Sequence, residues 1–280
     1  MSLLSVDSLF IYPVKSCSGI PLQNIRIDNY GVENDRKWMV VDEKGEMITQ
    51  RESPELALVK TEINDEYLRI SYKHSFVKLF LLQVNSHNYY TSVFGSEPLS
   101  VTDEGDEASS FFSDILHRKC RLVRRSELYK RDVTSGKITG KHQVGFVDSH
   151  PILILSQSSL TALNQRLTEP LPYNRFRPNI VIGGDCNEFD EDNWRVIEVD
   201  TLLFDFGKRC SRCMITTINQ QTLEKGKEPL HELANFRRDE RGKVCFGAYF
   251  TNRQTNGTLS VGSRVIIHQS EKNPLNASNN

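Results

Sequence analysis

Two cysteines three positions apart are the residues of this chain best suited to chemistry. Cys210 and Cys213 lie in residues 208–218, KRCSRCMITTI, between cationic side chains and a β-branched run. A thiolate is a soft metal ligand and a good nucleophile, and nearby positive charge favours the thiolate form. The stretch therefore indicates thiolate chemistry, and the partner of the thiolate has to be sought elsewhere in the chain.

A C-x-x-C pair is open to several interpretations. A redox pair is expected at a helix N-terminus, whereas residues 214–218, MITTI, favour a strand. A structural zinc site needs two more ligands, and Cys186, His231 and Cys245 form no second pair. A single thiolate that binds a soft metal or carries sulfur needs one cysteine, positive charge and a pocket. Two buried cysteines at a strand edge, without chemistry, are the remaining alternative.

Three other turns place cationic side chains at the ends of predicted strands. Lys15 and Ser16 lie in residues 12–19, YPVKSCSG; Arg36 follows Asp35; and Arg177 lies in residues 174–179, NRFRPN. An ammonium, a hydroxyl and backbone N–H groups can bind an oxyanion, and arginine suits bidentate phosphate recognition. The chain has neither a P-loop nor a G-x-G-x-x-G motif, so an ordinary nucleotide fold is not indicated. Together the turns predict an anionic ligand beside a thiolate.

Composition describes a soluble globular protein with one large or two ordinary domains. The 280 residues are 38% hydrophobic and 25% charged, with a formal net charge of −1. Such a balance gives no overall attraction to nucleic acid or to anionic membranes, and the apolar runs are too short to span a bilayer. The N-terminus is typical of a strand rather than a signal peptide. We therefore expect a cytoplasmic protein whose six cysteines are reduced.

The hydrophobic pattern predicts a mostly β chain with a few short helices. Short strands with regular turn signals before residue 100 suggest a small barrel or sandwich. Strands are predicted at residues 3–14, 20–27, 56–63, 68–72 and 76–84, with a hairpin over 37–50.

After residue 100 the pattern is mixed. Residues 107–117 predict an amphipathic helix, Ser156 is placed to cap a second, and 229–238 predict a third. Residues 124–143 are basic and polar and are typical of a mobile loop or lid. Strands and long helices do not alternate, which argues against a doubly wound sheet.

Seven short stretches, taken jointly, resemble the MOSC proteins, which are named for the C-terminal domain of molybdenum-cofactor sulfurase. The branch that they are most similar to contains the mitochondrial amidoxime-reducing component and bacterial proteins that confer resistance to N-hydroxylated bases. The stretches run in order through nearly the whole chain: YPVKS at 12–16, DR at 35–36, PILILS at 151–156, NRFRPNIV at 174–181, CSRCMITT at 210–217, KEPL at 227–230 and FG at 246–247. The resemblance implies an N-terminal MOSC-type β-barrel domain over 1–100, a MOSC β-barrel domain over 101–270 and a flexible tail over 271–280.

The resemblance also implies a molybdenum–molybdopterin cofactor. Cys213 would be the protein thiolate on molybdenum, in line with the preference of soft metals for thiolate. Lys15, Ser16 and Arg36 would hold the phosphate side of the cofactor. Arg177 would bind the pterin or the phosphate.

Five more residues are assigned to the cofactor by the same resemblance. Ser211 and Arg212 would line it through backbone and side chain. Asp148 and Ser149 stand where the family contacts the pterin, in a stretch that matches more loosely. Tyr249 would face the site, although a core aromatic on a strand is an equal alternative.

The implied activity is reduction of N-hydroxylated compounds such as hydroxylamines, amidoximes and hydroxylated bases. Cys245 is the last cysteine, so we expect neither an iron–sulfur cluster in this chain nor the ferredoxin-like domain of some bacterial relatives. We also expect no pyridoxal-binding domain. Electrons would come from a separate protein of the reductase, flavodoxin, ferredoxin or cytochrome type, and the substrate would be a small molecule. The alternative is a sulfur or cofactor carrier that uses a Cys213 persulfide.

Overall fold

The fold is mostly β, as the sequence predicts, and three short α-helices accompany the strands in the described part of the chain. The computed structural model describes residues 3–82, 88–93, 95–134, 136 and 140–271. The helices are α1 (Asp106–Leu116), α2 (Gln157–Asn164) and α3 (Leu230–Phe236). The strands are β1 (Leu4–Ile11), β2 (Ile20–Leu22), β3 (Asn24–Asp28), β4 (Gly31–Val32), β5 (Trp38–Asp42), β6 (Lys60–Ile63), β7 (Tyr67–Tyr72), β8 (Ser75–Phe80), β9 (Asn88–Thr91), β10 (Leu99–Asp103), β11 (Cys120–Arg125), β12 (Ile152–Ser156), β13 (Ile180–Gly183), β14 (Trp194–Val199), β15 (Leu202–Ser211), β16 (Cys245–Asn252), β17 (Gly257–Ser260) and β18 (Arg264–Ser270).

A closed barrel of seven strands forms the centre of the fold. Its order is β13-β12-β16-β15-β14-β18-β1, and pairing of β1 with β13 closes it. Only β12 and β13 run parallel within the barrel. Buried side chains such as Leu9, Ile154, Ile182, Phe204 and Phe250 fill the interior. Closure pairs the strand edges that an open sheet would expose.

Smaller sheets lie outside the barrel. A four-stranded sheet has the order β5-β11-β10-β9. β7 lies between β6 and β8 in a three-stranded meander, and β3 lies between β17 and β4 in another three-stranded sheet. The buried face of helix α1 packs into a hydrophobic cluster that also contains Trp38 of β5. The helix residues on this face are Ala108, Phe111, Phe112 and Ile115. That helix agrees with the one predicted over residues 107–117.

The barrel takes one strand from the start of the chain. β1 pairs with β13 and β18, whereas the other six strands lie between residues 152 and 270. The predicted domain division near residue 100 stays a prediction. Of the predicted tail, residues 272–280 lie outside the described residues. No helix in the described part of the chain is long and apolar enough to cross a membrane.

The predicted strand after Cys213 is wrong. Residues Met214–Thr217 form a 3-10 turn instead. The hydroxyl of Thr216 donates to the Cys213 carbonyl at 3.0 Å, and that of Thr217 donates to the Met214 carbonyl at 2.8 Å. These bonds to carbonyls three residues earlier support the turn and outweigh the strand preference of the β-branched residues.

Two other predictions were too simple. The strand predicted over residues 20–27 is divided into β2 and β3, and the return arm of the predicted hairpin is a single bridge between Val41 and Met47. In the predicted lid, 124 and 125 belong to β11, and residues 135 and 137–139 lie outside the described residues. Whether the remainder acts as a lid stays a prediction.

The predicted cap of α2 is confirmed. The Ser156 hydroxyl oxygen accepts a hydrogen bond from the Ser159 backbone N–H at 3.1 Å. The same hydroxyl donates to the Glu191 carboxyl at 2.8 Å, and Ser159 donates to it at 2.7 Å. All three side chains are buried, so the cap also supplies two hydrogen bonds to Oε2 of a carboxyl group out of contact with water.

We expect Ser156→Ala to lower the free energy of unfolding by about 1–3 kcal/mol, because it removes the cap and one donor to buried Glu191. Urea unfolding measures the change. Thr161→Ala, on the exposed side of the same helix, should change the value by about 0.5 kcal/mol or less. Equal effects of the two variants would contradict this account of the cap.

Candidate functional site

One cavity brings together side chains from seven separate parts of the chain. Its empty space, part of which is open to solvent, amounts to about 780 Å³. Nine of the ten predicted site residues line it: Lys15, Ser16, Arg36, Asp148, Arg177, Ser211, Arg212, Cys213 and Tyr249. Their roles toward a cofactor stay predictions.

Ser149 is the predicted residue that does not line the cavity. Its hydroxyl lies 2.9 Å from Nδ1 of His150, which does line it. The His150 ring stacks on the Tyr249 ring, with centroids 5.5 Å apart and an angle of 13° between the planes. Ser149 therefore contacts the wall from behind, and Tyr249 belongs to the wall rather than to the barrel interior.

Irregular pairing of β15 with β16 shapes the wall that leads to Cys213. The register shifts between Phe206 and Lys208 and again between Arg209 and Ser211. At Gly207 a side chain would place its Cβ 2.3 Å from the His150 ring, so the bulge needs glycine there. Bulges of this kind re-aim side chains next to functional sites.

Arg36 and Arg177 converge on one aromatic ring. Each guanidinium carbon lies 4.2 Å from the centroid of the buried Tyr12 ring. Arg36 also donates to the Asp35 carboxylate at 2.5 Å and to the Arg177 carbonyl at 3.1 Å. Burial, with Arg36 beside it, lowers the pKa of Arg177 to about 10. Two cations are thus held side by side with one carboxylate to offset them.

Three of the predicted residues have backbones in the left-handed region. The φ angles of Ser16, Arg36 and Arg177 are 68°, 44° and 57°. Each such non-glycine residue costs roughly 1–2 kcal/mol, and strain of this kind concentrates at functional sites. The fold accepts this cost at the three turns that direct cationic and hydroxyl groups into the cavity.

Lys15 and Asp148 form an ion pair at the cavity wall. Lys15 Nζ lies 2.5 Å from Asp148 Oδ1 and donates to the Phe146 carbonyl at 2.9 Å. Burial lowers the pKa of Lys15, and Asp148 opposes that shift. Burial alone would raise the pKa of Asp148, but Lys15, followed by Arg51 and Arg36, outweighs it and brings the value to about 2. Asp148 is therefore ionised at neutral pH.

Arg51 is a site residue that sequence reasoning missed. Its Nη2 lies 3.6 Å from the Cys213 sulfur and 3.8 Å from Asp148 Oδ2. Arg51 follows the return arm of the predicted hairpin, where a cationic residue resembles any solvated surface charge. Arg175 and Asn179, both within the NRFRPN stretch, also line the cavity, as do Thr49 and His150, and none of the four was assigned a role from the sequence.

The turn that carries Cys213 is tied to the Ser16 turn by a buried amide. Gln50 Nε2 donates to the Ser16 carbonyl at 2.6 Å and to Gln220 Oε1 at 3.0 Å, and Gln220 returns a bond of 3.0 Å to Gln50 Oε1. Gln50 is completely buried. This link fixes the distance between the predicted phosphate-binding turn and the thiol.

Cys210 and Cys213 differ in their surroundings. Cys210 is 2% exposed, and burial raises the pKa of its thiol, against a smaller opposing effect of Arg212. Cys213 is partly exposed and contacts Arg51. Only Cys213 combines access with a neighbouring cation, which is the environment of a working thiolate.

Arg212 is held by carbonyls next to the FG pair at residues 246–247. Its Nε donates to the Phe246 carbonyl at 2.7 Å, and its Nη1 donates to the Phe176 carbonyl at 2.8 Å. Gly247 has a φ of 75°, and a Cβ there would lie 2.3 Å from a Leu155 methyl group. Glycine therefore lets β16 approach β12 where Arg212 is positioned.

Two guanidinium nitrogens in the cavity lining have no acceptor among the described residues. Nη2 of Arg177 and Nη2 of Arg212 are buried and have no hydrogen-bond partner there. The described lining residues include six cationic side chains and a single carboxylate, Asp148. Buried donors are almost always satisfied, so the arrangement favours a ligand rich in acceptors and negative charge.

Comparison with known proteins assigns the chain to a family. Protein-family models of the MOSC N-terminal beta barrel domain and of the MOSC domain match residues 3–119 and 141–266. The chain belongs to the MOSC family. The resemblance predicted from the sequence is thereby confirmed.

Relatives of this MOSC protein carry two kinds of name. Mitochondrial amidoxime-reducing component 1 of Mus musculus is 33% identical over 94% of this chain and 82% of its own length. The Homo sapiens protein of the same name is 31% identical over the same shares. Molybdenum cofactor sulfurase of Oryza sativa subsp. japonica is 30% identical over 87% of this chain, which spans about a third (32%) of that longer protein.

Acid should destabilise this MOSC protein in part through Asp148. The pKa of Asp148 is about 2 in the folded chain against an ordinary 3.8. Its contribution to the free energy of unfolding is therefore complete above about pH 4 and is lost as the pH falls toward 2. The carboxylate is 46% exposed to the cavity, and solvent screening limits this contribution to about 1 kcal/mol. The free-energy difference between wild type and Asp148→Asn should shrink by that amount between about pH 5 and pH 2 in urea unfolding. A constant difference would contradict the prediction.

Arg51 should attract anions to Cys213. We expect Arg51→Met to lower the ratio of iodoacetate to iodoacetamide alkylation rates at Cys213 about fivefold, because one charge at this range is worth about 1 kcal/mol. The ratio cancels the thiolate fraction, and a Cys213→Ser variant supplies the background from other cysteines. Arg264→Met removes the same charge from exposed β18 and should leave the ratio unchanged. Equal ratios in both arginine variants would contradict the prediction.

Proposed function

We propose that this protein binds a molybdenum–molybdopterin cofactor and reduces N-hydroxylated small molecules, including hydroxylamines, amidoximes and N-hydroxylated bases. The observation that carries the proposal is one accessible thiol, Cys213, in a cavity with six cationic side chains. Relatives named for amidoxime reduction, which match almost the whole chain, support it.

The residues present fit that cofactor. Cys213 offers the thiolate that a soft metal prefers. The unsatisfied Nη2 atoms of Arg177 and Arg212 need acceptors, which a pterin and a phosphate supply. Lys15, Ser16 and Arg36 would hold the phosphate side.

The other wall residues would complete the cofactor site. Ser211 and Asp148 would contact the pterin, and Ser149 would act on it through His150. Tyr249 would be kept in place by its stacking on His150.

The side chains have distinct tasks in the proposed reaction. When bound, the cofactor supplies the two electrons that, with two protons, convert an N–OH group to N–H and water. Arg51 holds the Cys213 sulfur from the opposite wall and keeps anionic groups in the cavity. Asp148 is ionised at neutral pH, so it accepts hydrogen bonds from substrate N–H or O–H groups and does not donate a proton.

Electrons for the reaction would come from a separate protein of the reductase, flavodoxin, ferredoxin or cytochrome type. Cys210 has no part in the proposed chemistry, because its thiol is buried and its pKa is raised. Cys210 instead forms part of the cavity wall.

A sulfur-carrying role is the second candidate. The Arg51–Cys213 contact would stabilise the anion of a Cys213 persulfide as well as a thiolate. The sulfurase relative shares this part of the chain. A carrier would hold labile sulfur without metal, whereas a reductase would retain molybdenum.

We expect Cys213→Ser to lose benzamidoxime reduction by at least about tenfold while the chain stays folded, because serine is a poor ligand for a soft metal. The protein is expressed in a host that makes the cofactor, reduced methyl viologen supplies electrons, and molybdenum is counted by mass spectrometry. Wild type should hold about one molybdenum per chain, and Cys210→Ser should keep activity within about twofold.

Full activity of cofactor-loaded Cys213→Ser would refute the ligand role of Cys213. Labile sulfur on wild-type Cys213 without molybdenum would favour the carrier. Circular dichroism confirms that each variant is folded before either result is interpreted.

A further inference from the structure

A second groove lies beside the cavity and has no role in the proposed chemistry. It is lined by the α3 residues Leu230, His231 and Ala234, together with Arg238 and Lys243 and the Ser211–Arg212 wall. It encloses about 1020 Å³ of empty space, including open solvent. We refer to it as the α3 groove.

The α3 groove belongs to a basic part of the chain. Residues 207–245 contain nine lysines or arginines against five aspartates or glutamates, whereas the rest of the chain contains 26 against 31. His231, Arg238, Arg241 and Lys243 are all exposed. The pKa of Lys208 is lowered, first by burial and then by Lys243 and Arg241, which places these three cations close together. A protein of nearly neutral net charge therefore carries a local cationic surface.

Acidic residues do little to neutralise this surface. The Asp239 carboxylate accepts backbone N–H bonds from Arg241 and Lys243, at 3.0 and 2.7 Å, and so stabilises its own turn. Arg238 donates to the Ala234 and Gly242 carbonyls rather than to a carboxylate. The side chains of Arg241 and Lys243 have no hydrogen bond or ion pair with any described residue.

The α3 groove and the cavity share a wall. Ser211 and Arg212 line both, and Cys213 follows directly. Anything seated in the groove is separated from the cavity by this segment of chain. The shared wall therefore lies between a protein docked in the groove and a group held by Cys213.

We propose that the α3 groove is the docking surface for an acidic electron-transfer protein. The inference rests on the proposed reductase function, which needs electrons from another protein. Cationic patches steer acidic partners and accelerate their encounter, and electron-transfer complexes bury small, transient interfaces. Three apolar residues also line the groove: Leu230, Ala234 and Val244. They offer the partner an apolar contact in addition to the attraction between opposite charges.

The test measures binding of an acidic flavodoxin to the full chain by biolayer interferometry. Wild type should bind at least tenfold more weakly at about 200 mM salt than at about 20 mM, because the screening length shortens roughly threefold. Arg241→Glu with Lys243→Glu should weaken binding at low salt at least tenfold. Lys44→Glu with Lys60→Glu makes the same charge change at exposed sites on other elements and should stay within twofold. Lys243→Gln should give an intermediate loss, and a basic cytochrome c should not bind wild type.

Binding by wild type that is insensitive to salt, absence of flavodoxin binding, or equal loss in the two double variants would overturn the docking proposal. The measurement does not depend on metal content. One outcome is that wild type neither holds molybdenum nor reduces benzamidoxime, while only the groove variants bind flavodoxin more weakly. In that case the reductase proposal fails and the docking proposal is supported. If reductase activity with viologen persists while flavodoxin binding does not depend on the groove, the docking proposal fails alone.

Discussion

The site depends on keeping several cations charged where water is largely excluded. Arg36 and Arg177 lie against one Tyr12 ring, and each needs acceptors that the fold supplies: the Asp35 carboxylate and the carbonyls of Arg177 and Cys17. Removing charge from water costs several kcal/mol per ion, and this cost is repaid only when hydrogen bonds are nearly complete. The arginines are therefore fixed in place before a ligand arrives, and an anionic ligand relieves the repulsion between them.

This constraint explains why the site draws on so many turns. A cation can be buried only near backbone carbonyls that are not already paired, and these occur where strands end. Lys15, Arg177 and Cys213 each follow or precede a barrel strand, and the Gln50–Gln220 pair joins turns that lie 170 residues apart in the sequence. The barrel thus provides rigid strand ends, and the side chains of the site lie in the turns next to these ends.

Sequence reasoning predicted the elements with strong periodicity and the residues within recognisable stretches. Helix α1, the Ser156 cap and the cationic turns follow from local sequence patterns, so they could be predicted. Arg51 was not, because its importance comes from its distance to the Cys213 sulfur, and no local signal separates it from a surface arginine. The 3-10 turn after Cys213 was mistaken for a strand because threonine hydroxyls compete with the strand preference of the same residues.

The closed barrel also dictates the order in which the chain can fold during synthesis. β1 is made early and can pair at once with β2 over Leu9–Ile11, yet its barrel partners are Gly183 in β13 and Val265 in β18, which lie far later in the sequence. Contacts of such high sequence separation slow folding, and until they form the first half of β1 keeps unpaired backbone groups. A nascent chain of this protein therefore carries an aggregation-prone strand through most of its translation, and protection of that strand is a demand that the finished fold imposes on the cell.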